Sequence, residues 1–234
     1  MNIVITGASS GIGYQAALTL SINPDHCVMA VSRNEVKLGK LKSESLKKNA
    51  DSKLISVAGD ISTENSVSEI AERIKMQFDS VDVLINNAGL LINKPFEQLT
   101  LDDWMSVYTT NVFGMVNITR SLLPLMKRGS HIVNISSMGG FQGSAKFKGL
   151  SAYSSSKAAM VGITECLAEE LKEKKISVNC LCLGSVQTEM FATAFPAFTA
   201  ALQPEEMGAY VARFALEGQK FFNGKIIPVS SSTP

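Results

Sequence analysis

Short runs of β-branched and apolar residues alternate along the chain with longer stretches whose apolar positions recur every three or four residues. A run that is apolar at nearly every position suits a strand covered on both faces, and the wider spacing marks one side of a helix. The alternation predicts βαβ units, that is, an α/β fold with a doubly wound parallel sheet and helices on both faces. The expected strands are residues 2–6, 27–32, 53–58, 81–86, 131–136, 177–183 and 225–229.

Thr100 is a suitable helix N-cap with Asp102 and Asp103 in the first turn, and apolar residues recur at Trp104, Val107, Tyr108, Val112, Met115 and Val116. One long helix is expected over 101–127, kinked or ended by Pro124, with Arg128 and Gly129 completing the stop. A second is expected over 152–172. Residues 184–203, rich in Phe, Ala and Thr and limited by Pro196 and Pro204, suit a lid. No repeat or linker divides the chain, so residues 1–234 are expected to form one domain.

Composition narrows the partners. A net charge of +1 with interspersed signs gives no basic stripe for nucleic acid and no polybasic segment for a membrane surface, which leaves a small solute. Met1 to Ile5 run into an apolar strand without a basic leader, and no apolar run reaches the length of a membrane span, so a cytoplasmic protein is expected. Cys27, Cys166, Cys180 and Cys182 lie in apolar stretches, with no Cys-x-x-Cys pair and only His26 and His131 beside them. They are expected to be reduced core residues, with no metal.

The first expected strand is followed by Thr6-Gly7-Ala8-Ser9-Ser10-Gly11-Ile12-Gly13 and then by a helical pattern. Glycines permit a tight turn and close backbone approach to a pyrophosphate, and the helix start offers free N–H groups and a positive dipole end. The spacing Gly-x-x-x-Gly-x-Gly differs from the general dinucleotide fingerprint, but its place between first strand and first helix supports the same use. Residues 7–11 also satisfy the Gly-x-Ser-x-Gly elbow of serine hydrolases, with Ser9 as nucleophile. At the end of the second strand, where an acid selects NAD and an arginine accommodates the 2′-phosphate of NADP, stand Ser32 and Arg33. NADP(H) is therefore expected over NAD(H).

Tyr153 and Lys157, one turn apart on a helix, project from one face, and an ammonium there would stabilise a phenolate. The strand before them ends in Ser136 and Ser137 at the carboxyl edge of the sheet, where open α/β folds bind ligands. Together with Asp60-Ile61, Asn86-Asn87-Ala88-Gly89, Asn111 and Thr188, the set resembles the short-chain dehydrogenase/reductase family in order and spacing over nearly the whole chain. The resemblance implies a Rossmann-type sheet with strand order 3-2-1-4-5-6-7 and a catalytic tetrad of Asn111, Ser137, Tyr153 and Lys157. Ser137 would polarise a carbonyl and Tyr153 give the proton. Lys157 would lower the phenol pKa and bind the nicotinamide ribose, and Asn111 would hold a relay water. The cofactor would be lined by Gly7, Ser9, Ser10, Gly11, Ile12, Gly13, Ser32, Arg33, Asp60, Ile61, Asn87, Ala88, Gly89, Tyr153, Lys157, Gly184, Val186 and Thr188.

Two departures stand out: Leu183-Gly184 replaces the usual Pro-Gly, and residues 138–152 form a longer connection, with Lys146 and Lys148, than the family usually has. Ser137 matches the family's Ser-x-x-Gly with Gly140, although Ser136 adjoins it. The expected activity is reversible reduction of a ketone or aldehyde; a nucleotide-sensing protein with little catalysis is the alternative. Met190, Phe191, Phe195 and Phe198 suit either an apolar substrate or packing onto the domain. The resemblance further implies a homodimer or homotetramer built on the two long helices.

Overall fold

The computed structural model describes residues 1–230; the last four of the expected 1–234 domain lie outside the described residues. Seven parallel strands form one sheet in the order β3-β2-β1-β4-β5-β6-β7. They are β1 (Asn2–Thr6), β2 (Cys27–Ser32), β3 (Lys53–Ala58), β4 (Val81–Asn86), β5 (Met126–Ser137), β6 (Ser177–Leu183) and β7 (Ile226–Val229). The helices are α1 (Gly11–Ser21), α2 (Glu35–Lys48), α3 (Glu64–Gln77), α4 (Leu101–Tyr108), α5 (Gly114–Leu122), α6 (Ser151–Glu170), α7 (Glu189–Ala194) and α8 (Pro204–Glu217).

The two-residue period of the strands sorts their side chains into two cores. Ile3, Ile5, Val28 and Ala30 meet α1, α2 and α8 on one face, whereas Val4, Met29 and Val31 meet α3, α5 and α6 on the other. The order of strands reverses between β1 and β4, which opens a crevice at the carboxyl ends of those two strands.

The long helix expected over 101–127 is three pieces. A capping box between Thr100 and Asp103 starts α4, as the sequence suggests, but residues Thr109–Phe113 form a π turn before α5. The helix stops at Leu122, because Pro124 sits in a 3-10 turn over Leu123–Leu125, and Met126 already pairs with Val81 in the sheet. The ladder then slips and resumes at Val83 opposite His131, so Lys127 to Ser130 bulge. Gly129, at φ +90, donates its N–H to the Lys175 carbonyl there rather than ending a helix. α6 ends two residues before the expected Lys172, and β7 begins at Ile226 rather than Lys225. Cys180 and Cys182 are buried as expected, but Cys166 is exposed on α6 and Cys27 only half-buried; all four are free thiols.

His131 is fully buried at the start of the regular part of β5. Its Nδ1 lies 3.0 Å from the Ala215 carbonyl, which can only accept, so that nitrogen carries the proton and Nε2 accepts from Asn179 Nδ2 at 3.0 Å. Burial pushes its pKa down to about 4. A folded pKa below the unfolded value of about 6.5 favours the neutral ring, so the stabilisation is full above pH 6.5 and is lost as pH falls towards 4. Urea unfolding at pH 7.0 and pH 4.5 should show an acid-side loss in which His131 accounts for about 2 kcal/mol. His131→Gln should flatten that part of the curve, and an unchanged pH dependence in the variant would refute the assignment.

Candidate active site

The turn after β1 is built against the turn after β4. Thr6 Oγ1 accepts from the N–H groups of Asn87 and Ala88 at 3.1 and 3.2 Å, and Asn87 Nδ2 donates to the carbonyls of Thr6 and Gly7, each at 3.1 Å. Gly7 holds φ +68, and a Cβ on it would come within 2.7 Å of the Ala88 Cα. A Cβ on Gly13 would come within 2.2 Å of Asn87 Nδ2 and 2.5 Å of the Gly7 carbonyl oxygen. The glycines thus let α1 start tight against both turns, and Ser10 at its N-cap has extended backbone and makes no side-chain cap bond.

A cleft of about 690 Å³ opens above these turns. Every residue expected to bind cofactor lines it except Gly13, which acts by close packing beneath it, and Asn111, expected in the tetrad, lies behind it. Ser9 accepts a 2.7 Å bond from the Ser32 hydroxyl. No histidine lines the cleft, since His26 bonds the Leu20 carbonyl and His131 the Ala215 carbonyl, so Ser9 lacks the base that a hydrolase elbow requires. Arg33 is 72% exposed, with a guanidinium nitrogen 3.9 Å from the Asp60 carboxylate. A pair that loose is weak and leaves the guanidinium able to turn to another anion. Asp60 also accepts from the Ser62 N–H at 2.9 Å, and Ile61 packs against Gly114.

At the other end of the cleft the alternation of β5 separates the two serines. Both line the cleft, but Ser136 is buried and spends its hydroxyl donor on the Lys157 carbonyl at 2.9 Å, whereas Ser137 is half-buried and accepts from the Gly139 N–H at 3.1 Å. Gly140 allows the turn Met138–Gly140 to press on α6, because a Cβ there would come within 2.5 Å of the Lys157 backbone. Tyr153 and Lys157 both line the cleft, with Nζ 5.8 Å from the phenol ring centre. Lys157 Nζ donates to the Ile135 carbonyl at 2.8 Å and approaches Met160 Sδ at 3.5 Å.

Burial pushes Tyr153 up to about 12, and the Ser137 hydroxyl counteracts it. Burial lowers Lys157 to about 8. Both shifts share one cause: a dry site disfavours whichever form carries charge.

Asn111 sits in the π turn, fully buried. Its Oδ1 accepts from the Leu90 N–H at 2.7 Å, and Nδ2 donates to the Leu90 carbonyl at 3.0 Å and to Ser156 Oγ at 2.9 Å. Both amide hydrogens are engaged, so this side chain braces the turn after β4 against α6. Thr188 caps α7 by accepting from the Phe191 N–H at 3.1 Å, and its methyl lies over Gly11. Leu183 remains paired with both Ser137 and Val229, so the strand stays regular where the family's proline is missing, and Gly184 packs against Ser230. Val186 bridges Leu202. The sequence gives no signal for Leu90, Phe147 and Leu150 as cleft residues, or for Asn93 beside them, because they lie on connections without a period.

The profile of the short chain dehydrogenase family matches residues 1–197. An uncharacterized oxidoreductase of Bacillus subtilis, YusZ, is 31% identical over 209 residues, 88% of this chain and 72% of that protein. Among solved structures, a short chain dehydrogenase from Burkholderia cenocepacia in complex with NADP superposes with a TM-score of 0.86 at 25% identity, over 99% of this chain and 96% of that one. A 3-ketoacyl-(acyl-carrier-protein) reductase from Brucella melitensis complexed with NADH gives 0.85 at 25% identity, over 97% and 96%.

Gly13→Ala should lower stability by about 1–3 kcal/mol, the range for overpacking. Urea unfolding of the purified variant checks this, and wild-type stability would mean that the two turns do not pack as described.

Proposed function

Because the chain belongs to the short-chain dehydrogenase family, we propose that it is an NADP(H)-dependent reductase that converts a ketone or aldehyde into an alcohol, reversibly, with Tyr153 as acid and base. The observation that carries this reading is that Ser137, Tyr153 and Lys157 line the same cleft as the glycine turn. The chain's residues fit a dinucleotide: the α1 N-terminus lacks a side-chain cap, Gly7 and Gly13 let the turn before it close tightly on the β4 turn, and Arg33 offers an exposed cation at the β2 end. When bound, the nicotinamide supplies the hydride.

Each residue then has a task. Ser137 donates its hydroxyl to the carbonyl oxygen, and Tyr153, with its pKa near 12, arrives protonated at neutral pH and passes that proton to the same oxygen. The Ser137 hydroxyl favours the phenolate left behind, since its influence on Tyr153 is downward. Lys157, near 8, keeps most of its charge at pH 7 beside that phenolate. Asn111 holds Leu90 in place, and Arg33 with Ser32 takes the 2′-phosphate.

Residues 184–203 serve as a lid over the substrate, and residues 1–234 act as one domain. Leu101, Met105 and Phe113 are exposed along α4 and the π turn, which supports a homodimer or homotetramer in which a second copy covers them. No helix among the described residues is long and apolar enough to cross a membrane.

Tyr153→Phe should reduce kcat by about 10²–10⁴ while NADPH affinity stays close to wild type, the loss typical of a missing general acid. Full turnover in that variant would sink the mechanism. Arg33→Asp should shift the NADPH-to-NADH ratio of kcat/KM by about ten- to a hundredfold towards NADH, the worth of a charge-assisted phosphate contact. An unmoved ratio would remove Arg33 from the cofactor site.

A further inference from the structure

Beyond Ser137 and Tyr153 the cleft runs between two walls. One is the connection from β5 to α6, which presents Phe147 and Leu150; the other is the region of α7, which presents Met190, Phe191, Phe195 and Phe198. Phe147 is 52% exposed and Phe198 69% although both line a concavity. Large apolar side chains left open to solvent around a cavity mark the place of an apolar occupant. Phe191 and Phe195 lie 5.2 Å apart between ring centres with planes at 39°, so these two rings form one aromatic surface.

Asn93 ties the walls together. Its Nδ2 donates to the Ala194 carbonyl on the α7 side at 2.7 Å. Its Oδ1 lies over Gly149 on the other side, where a Cβ would come within 2.0 Å, and the next residue, Lys94, donates its N–H to the Gly149 carbonyl at 3.0 Å. One side chain therefore touches both walls and sets their separation.

The charges on the cleft are equally informative. Among the described residues they are Arg33, Asp60, Lys157 and Glu189. Arg33 and Asp60 face each other at the far end, Glu189 pairs with Lys37 at 2.7 Å, and Lys157 is bound to the Ile135 carbonyl. Lys146 turns to the Phe141 carbonyl and Ser144, and neither it nor Lys148 lines the cleft. A carboxylate or phosphate carried in by a substrate would lose its water without gaining a partner between these walls.

Resting on the reductase reading, we propose that this outer half of the cleft is a slot for a neutral, flat aryl ketone, its rings lying between Phe147 and the wall of Phe191, Phe195 and Phe198, with Asn93 as the positioning residue that fixes the slot's width. One ring contact is worth about two- to tenfold in affinity, so rings held on both sides give about a four- to hundredfold preference over an open-chain ketone of equal carbon number.

The test combines turnover and binding on the full chain. Initial rates are measured with 1-tetralone, 2-decanone, an acetoacetyl thioester of N-acetylcysteamine and pyruvate, each with NADPH and with NADH, and binding of 1-tetralone and 2-decanone to the cofactor-loaded protein is followed by calorimetry. The expected result is that kcat/KM for 1-tetralone exceeds that for 2-decanone by at least about fourfold, with pyruvate lower still. Phe147→Ala and Phe198→Ala, both at exposed positions, should compress the tetralone-to-decanone ratio by about two- to tenfold each. Asn93→Ala should compress it too, mainly through KM for 1-tetralone, whereas a mere folding defect would lower both ketones alike. Preferred turnover of the thioester, pyruvate or 2-decanone overturns the slot and leaves the reductase standing. Tight, selective tetralone binding without turnover of any carbonyl overturns the reductase and leaves the slot standing. Absence of both overturns both.

Discussion

Everything at this site depends on two turns touching. The hydroxyl of Thr6 receives the N–H groups of Asn87 and Ala88, and the Asn87 amide returns two bonds to the carbonyls of Thr6 and Gly7. These bonds close the crevice floor at the point where the strand order reverses, and they leave no room for a side chain at Gly7 or Gly13. The phosphate-binding turn is thus a packing solution first. Its shape is set by the neighbouring strand, and the free helix N-terminus follows from that shape.

The reactive end has a second constraint, dryness. The same desolvation that raises Tyr153 to about 12 lowers Lys157 to about 8, so two groups that titrate close together in water are driven apart, each towards its neutral form. Around them the protein supplies polar groups one at a time: the Ser137 hydroxyl beside the phenol, the Ile135 carbonyl on the ammonium, the Asn111 amide on Leu90. Two of the three are placed by a backbone irregularity, Ser137 by a strand end and Asn111 by a π turn, whereas Ile135 lies within the regular ladder of β5. Functional positions are where regular geometry gives way.

Much of this was legible in the chain. Strands covered on both faces declare themselves as unbroken apolar runs, and five of the seven have the expected bounds because turn residues flank them. The strand order is not written in any run; it came with the resemblance to a family. The helix over 101–127 was misread because apolar spacing carries on smoothly through the π turn, and because nothing in Met126 announces that it pairs with Val81. The choice between Ser136 and Ser137 needed the register of β5 against β6, since period alone cannot say which face is the cleft. Tyr153 and Lys157 were readable from helical spacing, but the influence on their acidity was not, for burial is a property of the assembled fold. Asn93 and Phe147 left no trace at all, since both act from loops.

The π turn at Thr109–Phe113 carries one consequence for how such a chain can vary. A helix with a wide turn holds one residue more than its length in ordinary α geometry would need. Deleting a residue there would heal the hydrogen-bond ladder and leave α4 and α5 in their present phase, so the cost falls on the wide turn itself. Asn111 would be drawn into ordinary helical geometry, and Leu90 would lose its brace. Length changes in this chain's descendants should therefore gather in the connections at the cleft's rim, while this helix drifts in composition and keeps its residue count.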